Sequence, residues 1–311
     1  MSGAQRIYKQ KIASTEKLEK VFNAMEMIAA SRIGRARKRA TEADPYTHAL
    51  TKAVAAVAIH SDVQHPLTQA RSDTDRVAVL AIASDRGLAG AYSATILRET
   101  EKLIEELKEK GKVPVLFTAG RRAAQYFRFR GIPVEKSWEG ASDSPSDELI
   151  YEVGETLLER FLDKDPEKGV GAVELVFTRF KSMVRQVPEI RQMLPLTVVD
   201  APAADDDEEG AGELGFGPDG EGYPEYEFIP DVKTVLDTLL PLYVTNRIAN
   251  AMLQAAASEL AARQQAMHTA TENANEMIRD YTRLANQARQ AEITQEISEI
   301  VSGADALSQQ A

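Results

Sequence analysis

The stretch best suited to chemistry is SDRGLAGAY, Ser84 to Tyr92, which follows a short apolar run and precedes a helical pattern. A glycine-bearing turn in that position is where an α/β protein holds a phosphate, on backbone N–H groups at a helix N-terminus. Gly87 and Gly90 are present, but neither the G-x-G-x-x-G pattern nor the G-x-x-x-x-G-K-[ST] pattern is. The plainer alternative is that the glycines permit a tight strand-to-helix turn. Other chemistries have less to work with. There is no cysteine, which removes disulfides, thiolate metal sites, cysteine nucleophiles and thiol redox switching together. His48, His60, His65 and His268 are scattered with no ligand partner at metal spacing. No serine, histidine and acid combination and no paired carboxylate in an evident cleft appears, so no catalytic set, metal site or cofactor site is expected.

Two further stretches suit binding. Arg32, Arg35, Arg37, Lys38 and Arg39 form a basic run, either a solvated helix face or a track for an acidic partner surface. The segment RQAEITQEISEIVSGADAL, Arg289 to Leu307, mixes polar and aliphatic residues, and is either a helix end closed by Gly303 or a docking tip.

Long helices must position both. From Tyr223 to Ser302 there is no glycine, and Pro224, Pro230 and Pro241 all lie at its start. About sixty residues after Pro241 therefore allow one continuous helix, roughly 90 Å long, with Asp231 as a plausible N-cap. Apolar or small residues recur at Ala249, Met252, Ala256, Leu260, Met267, Ala270, Ala274, Met277, Tyr281, Leu284, Ala288 and Ala291, interrupted only by Arg263. Alternating steps of three and four are a coiled-coil seam. The phase breaks across Arg289 to Thr294 and restarts at Ile293, Ile297 and Ile300. The first segment repeats the pattern at Leu18, Phe22, Met25, Ala29, Ile33, Ala36, Ala40 and Ala43, with Pro45 expected to kink or end the helix before Tyr46 to Ile59 resumes.

Between these helices the period changes. Val77 to Ala83, Val113 to Thr118, Ile132 to Lys136 and Val173 to Phe180 look like buried strands, alternating with helices over Tyr92 to Lys110, Arg121 to Arg130 and Pro145 to Leu162. Leu194 to Val199 is a candidate edge strand. Such alternation implies an α/β layer on a largely parallel sheet.

The expected architecture is an α/β protein: a long antiparallel coiled coil of the N- and C-terminal helices with a central Rossmann-like α/β domain. Its expected parts are an N-terminal coiled-coil helix (1–60), a linker (61–75), the α/β domain (76–200), an acidic glycine-rich loop (201–230) and the C-terminal helix (231–311). If both helices leave the domain by one face, the longer C-terminal one keeps roughly 25 to 30 Å without an intramolecular partner. Its isoleucines are poor candidates for standing in water.

Composition bounds the partners. The 311 residues are 43% hydrophobic, enough for a core, and carry a net charge of -11, with a pI near 5.1. An acidic chain is a poor match for nucleic acid as its main partner. No apolar run approaches the ~20 residues that cross a bilayer, and the N-terminus has no signal-peptide core.

KIASTEKLEKVFNAMEMIAASRI, SDRGLAGAY, SELAARQQAMHTATENANEMI and RQAEITQEISEIVSGADAL, in that order, closely resemble the gamma subunits of rotary F-type ATP synthases. The resemblance implies a non-catalytic central rotor shaft within a hexamer of alpha and beta subunits, its α/β domain against epsilon and the membrane ring of c subunits. It implies membrane contact only through the complex, on the cytoplasmic face of a bacterial cell membrane. By the same resemblance, Met25 matches a methionine facing a beta-subunit loop, and Arg289, Gln290, Thr294 and Glu299 match tip positions that contact the hexamer. Arg263 lies in the matching SELAAR stretch, and Glu227 in EYEFIPD stands where relatives meet the c ring. Arg32, Arg35, Lys38 and Arg39 become candidates for acidic loops of the beta subunits. Two departures are Ala89, where the motif usually carries cysteine, and Ala201 to Gly222, longer and more acidic than the family norm. A static coiled-coil scaffold and a nucleotide-binding regulator built on SDRGLAG are the alternatives.

Overall fold

The computed structural model describes residues 3–60, 65–196 and 229–308, which contain five helices and five strands besides a short 3-10 turn at Pro66–Thr68. In chain order they are α1 (Gly3–His60), β1 (Arg76–Ile82), α2 (Tyr92–Glu109), β2 (Val113–Ala119), α3 (Arg121–Phe129), β3 (Val134–Trp138), α4 (Asp147–Leu162), β4 (Ala172–Phe180), β5 (Gln186–Leu194) and α5 (Val232–Ser308). The expected acidic loop at Ala201 to Gly222, and Glu227, lie outside the described residues.

Two compact units emerge, one of residues 1–30 and 263–311 and one of residues 31–262. The larger is organised by a sheet of order β3-β2-β1-β4-β5, in which β1, β2, β3 and β4 pair in parallel and β5 runs antiparallel to β4. Strands buried on both faces explain the unbroken apolar runs. Ala78, Leu80, Ile82, Phe117, Leu175 and Phe177 pack on one face with α4 (Val153, Leu157, Phe161) and α5 (Leu240, Val244, Ile248, Ala251). Val77, Val79, Ala81, Leu116 and Val176 pack on the other with α2 (Ile96, Leu103, Ile104, Leu107) and α3 (Ala123, Phe127). Adjacent strand residues thus serve opposite cores, as a period of two requires.

Helix ends follow local chemistry. Ser146 caps α4 by accepting from Leu149 N at 3.2 Å, and Asp231 caps α5 by accepting from Thr234 N at 3.0 Å. Gly154 brings α4 close to α5, since a Cβ there would lie 3.0 Å from Thr245 Oγ1.

Several sequence expectations change. An edge strand lies at Gln186–Leu194; of the expected Leu194 to Val199, Pro195 and Leu196 are not in a strand and 197–199 lie outside the described residues. Pro188 is tolerated there because β5 is at the sheet edge, where it lies opposite Thr178. The third strand begins after Pro133, not at Ile132. Pro45 does not end α1, which continues to His60. Gly303 does not close α5, which continues to Ser308.

Candidate functional site

In the unit of residues 1–30 and 263–311, α1 and α5 form an antiparallel pair. Tyr8 lies 6.5 Å from Tyr281 between ring centroids, Lys11 Nζ sits 5.2 Å over the Tyr281 ring, and Glu26 Oε1 lies 3.0 Å from His268 Nδ1. Numbers rise on one helix as they fall on the other. Ala285 is the last buried seam residue on α5 among the described residues.

The seam itself differs in detail from its periodicity. On α5, Met267 and Ala274 are buried as expected, but Met277 is exposed and Ile278 turns inward instead. On α1, Leu18 is 50% exposed, while Gln5, Thr15 and Ala29 are buried. Leu18, Val21 and Ile28, with half-buried Met25 among them, form a second stripe at steps of three, four and three that α5 does not cover. Periodicity locates apolar faces, not what covers them, and α1 carries two.

Beyond Ala288 every α5 residue to Ser302 is exposed except half-buried Glu292. Arg289, Gln290, Thr294 and Glu299 are therefore all presented outward, beside Ile293, Ile297, Ile300 (70% exposed) and Val301. Their hydrogen bonds are local: Thr294 Oγ1 donates to Gln290 O at 2.9 Å, and Gln295 Nε2 donates to Glu299 Oε1 at 2.9 Å. Such bonds keep the tip helical without fixing it to anything else. Arg263 differs from these, being only 7% exposed within the helix pair.

In the unit of residues 31–262, the basic run is partly used at home. Arg32 Nη1 bonds Asp143 Oδ2 at 2.7 Å. Arg39 reaches Asp147 Oδ1 at 2.7 Å and the Pro145 carbonyl at 3.0 Å. Arg37 lies over the Phe180 ring at 5.6 Å, and Lys38 approaches Glu42 at 3.6 Å. Arg35 and Lys38 are exposed. The four candidates thus divide into two that tie α1 to the segment entering α4 and two that face outward.

The SDRGLAGAY turn is also occupied by its own protein. The Asp85 carboxylate accepts from Arg121 N and from Ser142 N, both at 2.9 Å, and Asp85 N donates to Ser142 Oγ at 2.8 Å. Burial pushes the Asp85 carboxyl up, but bonds from Gly140, Ser142 and Arg121 outweigh it and hold the group below its usual range. These N–H groups at the carboxyl ends of β2 and β3 are the kind a phosphate would use, and a fixed carboxylate already takes them. Gly90 sits at φ 55 and Leu88 at φ 62, the left-handed region that a tight turn needs. Ser84 Oγ and Ser93 Oγ meet at 2.5 Å, and Ala89 is buried.

Behind this turn α5 crosses the strand ends. Tyr92 OH donates to Ala255 O at 3.2 Å, Ser258 Oγ donates to Thr178 O at 3.1 Å, and Phe180 N donates to Gln254 Oε1 at 3.1 Å. Sequence reasoning gave none of these residues a role, because single polar residues in an alanine-rich helix carry no pattern. His65 is likewise structural in form: Nδ1 accepts from Leu67 N at 3.1 Å and Nε2 lies 3.1 Å from Asp237 Oδ1. Among the described residues no group of three or more His, Asp or Glu is placed to hold a metal, and no helix is long and apolar enough to cross a membrane.

Comparison with known proteins adds independent information. The family model described as ATP synthase matches residues 4–307. The chain is 57% identical over 307 residues to the ATP synthase gamma chain of Beutenbergia cavernae, covering 99% of each. It is 51% identical over 310 residues to that of a Nocardioides species, covering 99% of this chain and 97% of the relative. Among solved structures it superposes on a chain of the Euglena gracilis mitochondrial ATP synthase (OSCP/F1/c-ring, rotational state 3) with a TM-score of 0.63, at 14% identity, over 98% of this chain and 95% of that one. A chain from the central stalk and c ring of the Tetrahymena thermophila mitochondrial ATP synthase gives 0.55 at 18% identity, over 80% and 99%.

Proposed function

Since the chain belongs to the ATP synthase gamma-chain family, we propose that it is the central rotating stalk of a proton-translocating F-type ATP synthase. It couples rotation of the membrane c ring to ATP synthesis in the alpha/beta hexamer. It catalyses no step itself. It stands beside epsilon, meets the membrane only through the complex, and lies on the cytoplasmic face of a bacterial cell membrane.

The observation that carries this reading is the bare apolar surface of the helix pair. Leu18, Val21 and Ile28 on α1 and Ile293, Ile297, Ile300 and Val301 on α5 are outside, although the chain buries comparable residues elsewhere. A helix pair with aliphatic residues on its outer surface and a charged tip fits insertion into another assembly. The hexamer is the occupant, with Met25, Arg289, Gln290, Thr294 and Glu299 among its contacts, whereas Arg263, buried within the helix pair, acts on it only through that pairing; Arg35 and Lys38 are the outward-facing two of the four basic candidates and face beta-subunit loops. Glu227 is retained as a c-ring contact on the resemblance alone.

The mechanism follows from unequal faces. A shaft inside a pseudo-threefold ring meets three like subunits with different residues, so it favours a different conformation in each, and turning it permutes those preferences. Moving one site between tight and open states by 10⁴ in affinity takes about 5.5 kcal/mol of differential contact. Exposed ion pairs supply at most about 1 kcal/mol each, so aliphatic and charged contacts along the shaft must act together. The Asp85 geometry speaks against the nucleotide-regulator alternative, because a carboxylate stands where a phosphate would.

Stoichiometry separates a rotor from a scaffold. Purification from membranes through a tag on this chain should return alpha, beta, epsilon and c subunits with one copy of this chain for every three beta subunits. One copy per beta subunit would make it a scaffold, and absence of beta and c subunits would end the reading.

A further inference from the structure

The crossing of α5 over the strand ends carries an inference that rests on the rotor reading and deepens it. Pairing between β1 and β4 ends at Ala81 opposite Val176, whereas β4 continues to Phe180. Past that point α5 supplies partners to β4. Ser258 Oγ takes the Thr178 carbonyl, and Gln254 Oε1 takes the Phe180 N–H. Tyr92, the first residue of α2, donates its hydroxyl to the Ala255 carbonyl. Gln254 and Ser258 stand at i and i+4, on one face of the helix, and the Ala255 carbonyl lies beside them.

The buried surface around that turn is mixed: Ala251, Ala255, Ala256, Ala257 and Ala261 have nothing beyond Cβ to form the ridges that interlock packed helices, and Met252, Leu253 and Leu260 are the large side chains buried among them. Such packing keeps the helix in place, but it is non-directional and sets the angle about the helix axis less closely than hydrogen bonds do. Directional bonds to two separate elements, α2 and β4, resist rotation about that axis well, because each weakens steeply once its angle is lost.

We propose that Tyr92, Gln254 and Ser258 form a torsional clamp that fixes the rotational angle of α5 within the α/β unit, so that torque passes between them without slip. They are positioning residues. Their bonds also give SDRGLAGAY a purpose: it delivers Tyr92 to the helix, in the crevice where an open α/β sheet would otherwise receive a ligand.

The test uses the complete complex, fixed through its hexamer, with a rotation probe on the α/β unit. The absence of cysteine lets Phe129→Cys, at a side chain 91% exposed, serve as the only attachment point on this subunit. The angular variance of the probe within a dwell at limiting ATP is the readout. Tyr92→Phe with Gln254→Leu and Ser258→Ala should raise that variance about twofold, because orientations forbidden by three hydrogen bonds, two of them buried, become accessible. Tyr92→Phe alone, which removes one oxygen and keeps the packing, should raise it less and decides the matter if the triple variant does not assemble. Thr100→Val is the control: it removes a buried bond from Thr100 Oγ1 to Ile96 O in α2 and should leave the variance unchanged. Unchanged variance in the clamp variants, or an equal rise with Thr100→Val, would overturn the clamp while leaving the rotor intact. A probe that does not rotate in the otherwise unaltered complex would overturn the rotor reading, and the clamp with it.

Discussion

The two units of this chain treat apolar surface in opposite ways. Residues 31–262 bury Phe117, Phe127, Phe161, Phe177, Leu80 and Leu175 almost completely, on both faces of one sheet. The unit of residues 1–30 and 263–311 buries mostly small or polar residues, Gln5, Thr15, Ala29, Ala274 and Ala285, with Met267 the one large apolar side chain buried among its described residues, and leaves Ile7, Leu18, Val21, Ile28, Ile293 and Ile300 outside. A region that hides its large side chains derives its stability from itself. A region that shows them stores binding energy for a partner, and mutations in the two should fail in different assays.

The largest effect expected in the isolated chain is at Phe117, fully buried and stacked on Trp138 with ring centroids 6.3 Å apart. Phe117→Ala should cost about 3 to 5 kcal/mol in urea unfolding. Ile297→Ala should change the same measurement by less than about 0.5 kcal/mol, as a surface substitution does. Equal costs would erase the distinction between the units.

The converse effect belongs to the assembled complex. Arg289→Ala with Gln290→Ala should leave the circular dichroism of the free chain unchanged, since both side chains are exposed. It should weaken assembly with the hexamer or slow ATP turnover, because Arg makes planar bidentate contacts that other residues do not reproduce. Losing one partner of a buried pair costs about 3 to 5 kcal/mol. Normal assembly and turnover would mean that the tip is passive and the contacts lie lower on the helix pair.

How far these contrasts could be foreseen depends on the residue. The α/β unit was legible because strands buried on both faces spell continuous apolar runs such as VAVLAIA. β5 went unforeseen because QVPEIRQML is polar at many positions and faces partly outward, so it spells no continuous apolar run. The helix pair was legible as periodicity, but Leu18 was assigned to the seam when Thr15 occupies it. A stripe that awaits a partner and a stripe already covered have the same spacing, and only coordinates separate them. The basic run shows the same limit, since no pattern reveals that Arg32 and Arg39 already hold Asp143 and Asp147 while Arg35 does not.

Smaller effects sharpen the comparison inside the self-sufficient unit. Asp85→Ala would strand the N–H groups of Arg121 and Ser142, costing about 1 to 3 kcal/mol. The Asp85 carboxyl is held low in the folded chain. Its contribution is therefore full above its unfolded pKa and is lost as pH falls through the folded one. The stability difference between parent and variant should shrink on acidification, and a difference independent of pH would contradict the assignment. Arg32→Gln and Arg39→Gln should each cost only about 0.2 to 1 kcal/mol in the free chain, as partly exposed pairs do. Arg35→Gln with Lys38→Gln should cost no more there than the exposed Lys38–Glu42 pair, under about 0.5 kcal/mol, and lower the protons pumped per ATP in the complex. Unchanged pumping would return that face to solvent.

The smallest effect has the opposite sign. Glu174 lies in β4 between Val79 of β1 and Gln192 of β5, and it is half-buried. Burial raises its pKa, Lys110 lowers it in part, and Glu106 adds to the rise. The folded chain then holds this proton more tightly than the unfolded chain, and stability falls as pH rises from the ordinary glutamate value through the raised one. Above that window the charged, half-buried group is a standing cost. Glu174→Gln keeps the shape without the charge, so it should stabilise the chain at neutral pH. With the group partly open to solvent the gain is screened to under about 1 kcal/mol. The gain should vanish below the window, where the parent is protonated and the two side chains are nearly equivalent. Urea unfolding of both chains at pH 7 and pH 4 measures it, and assembly with the hexamer should be indifferent, because Glu174 belongs to the region that needs no partner. A variant no more stable at pH 7 than the parent would show that Lys110 fully compensates the carboxylate, and that this unit carries no such cost.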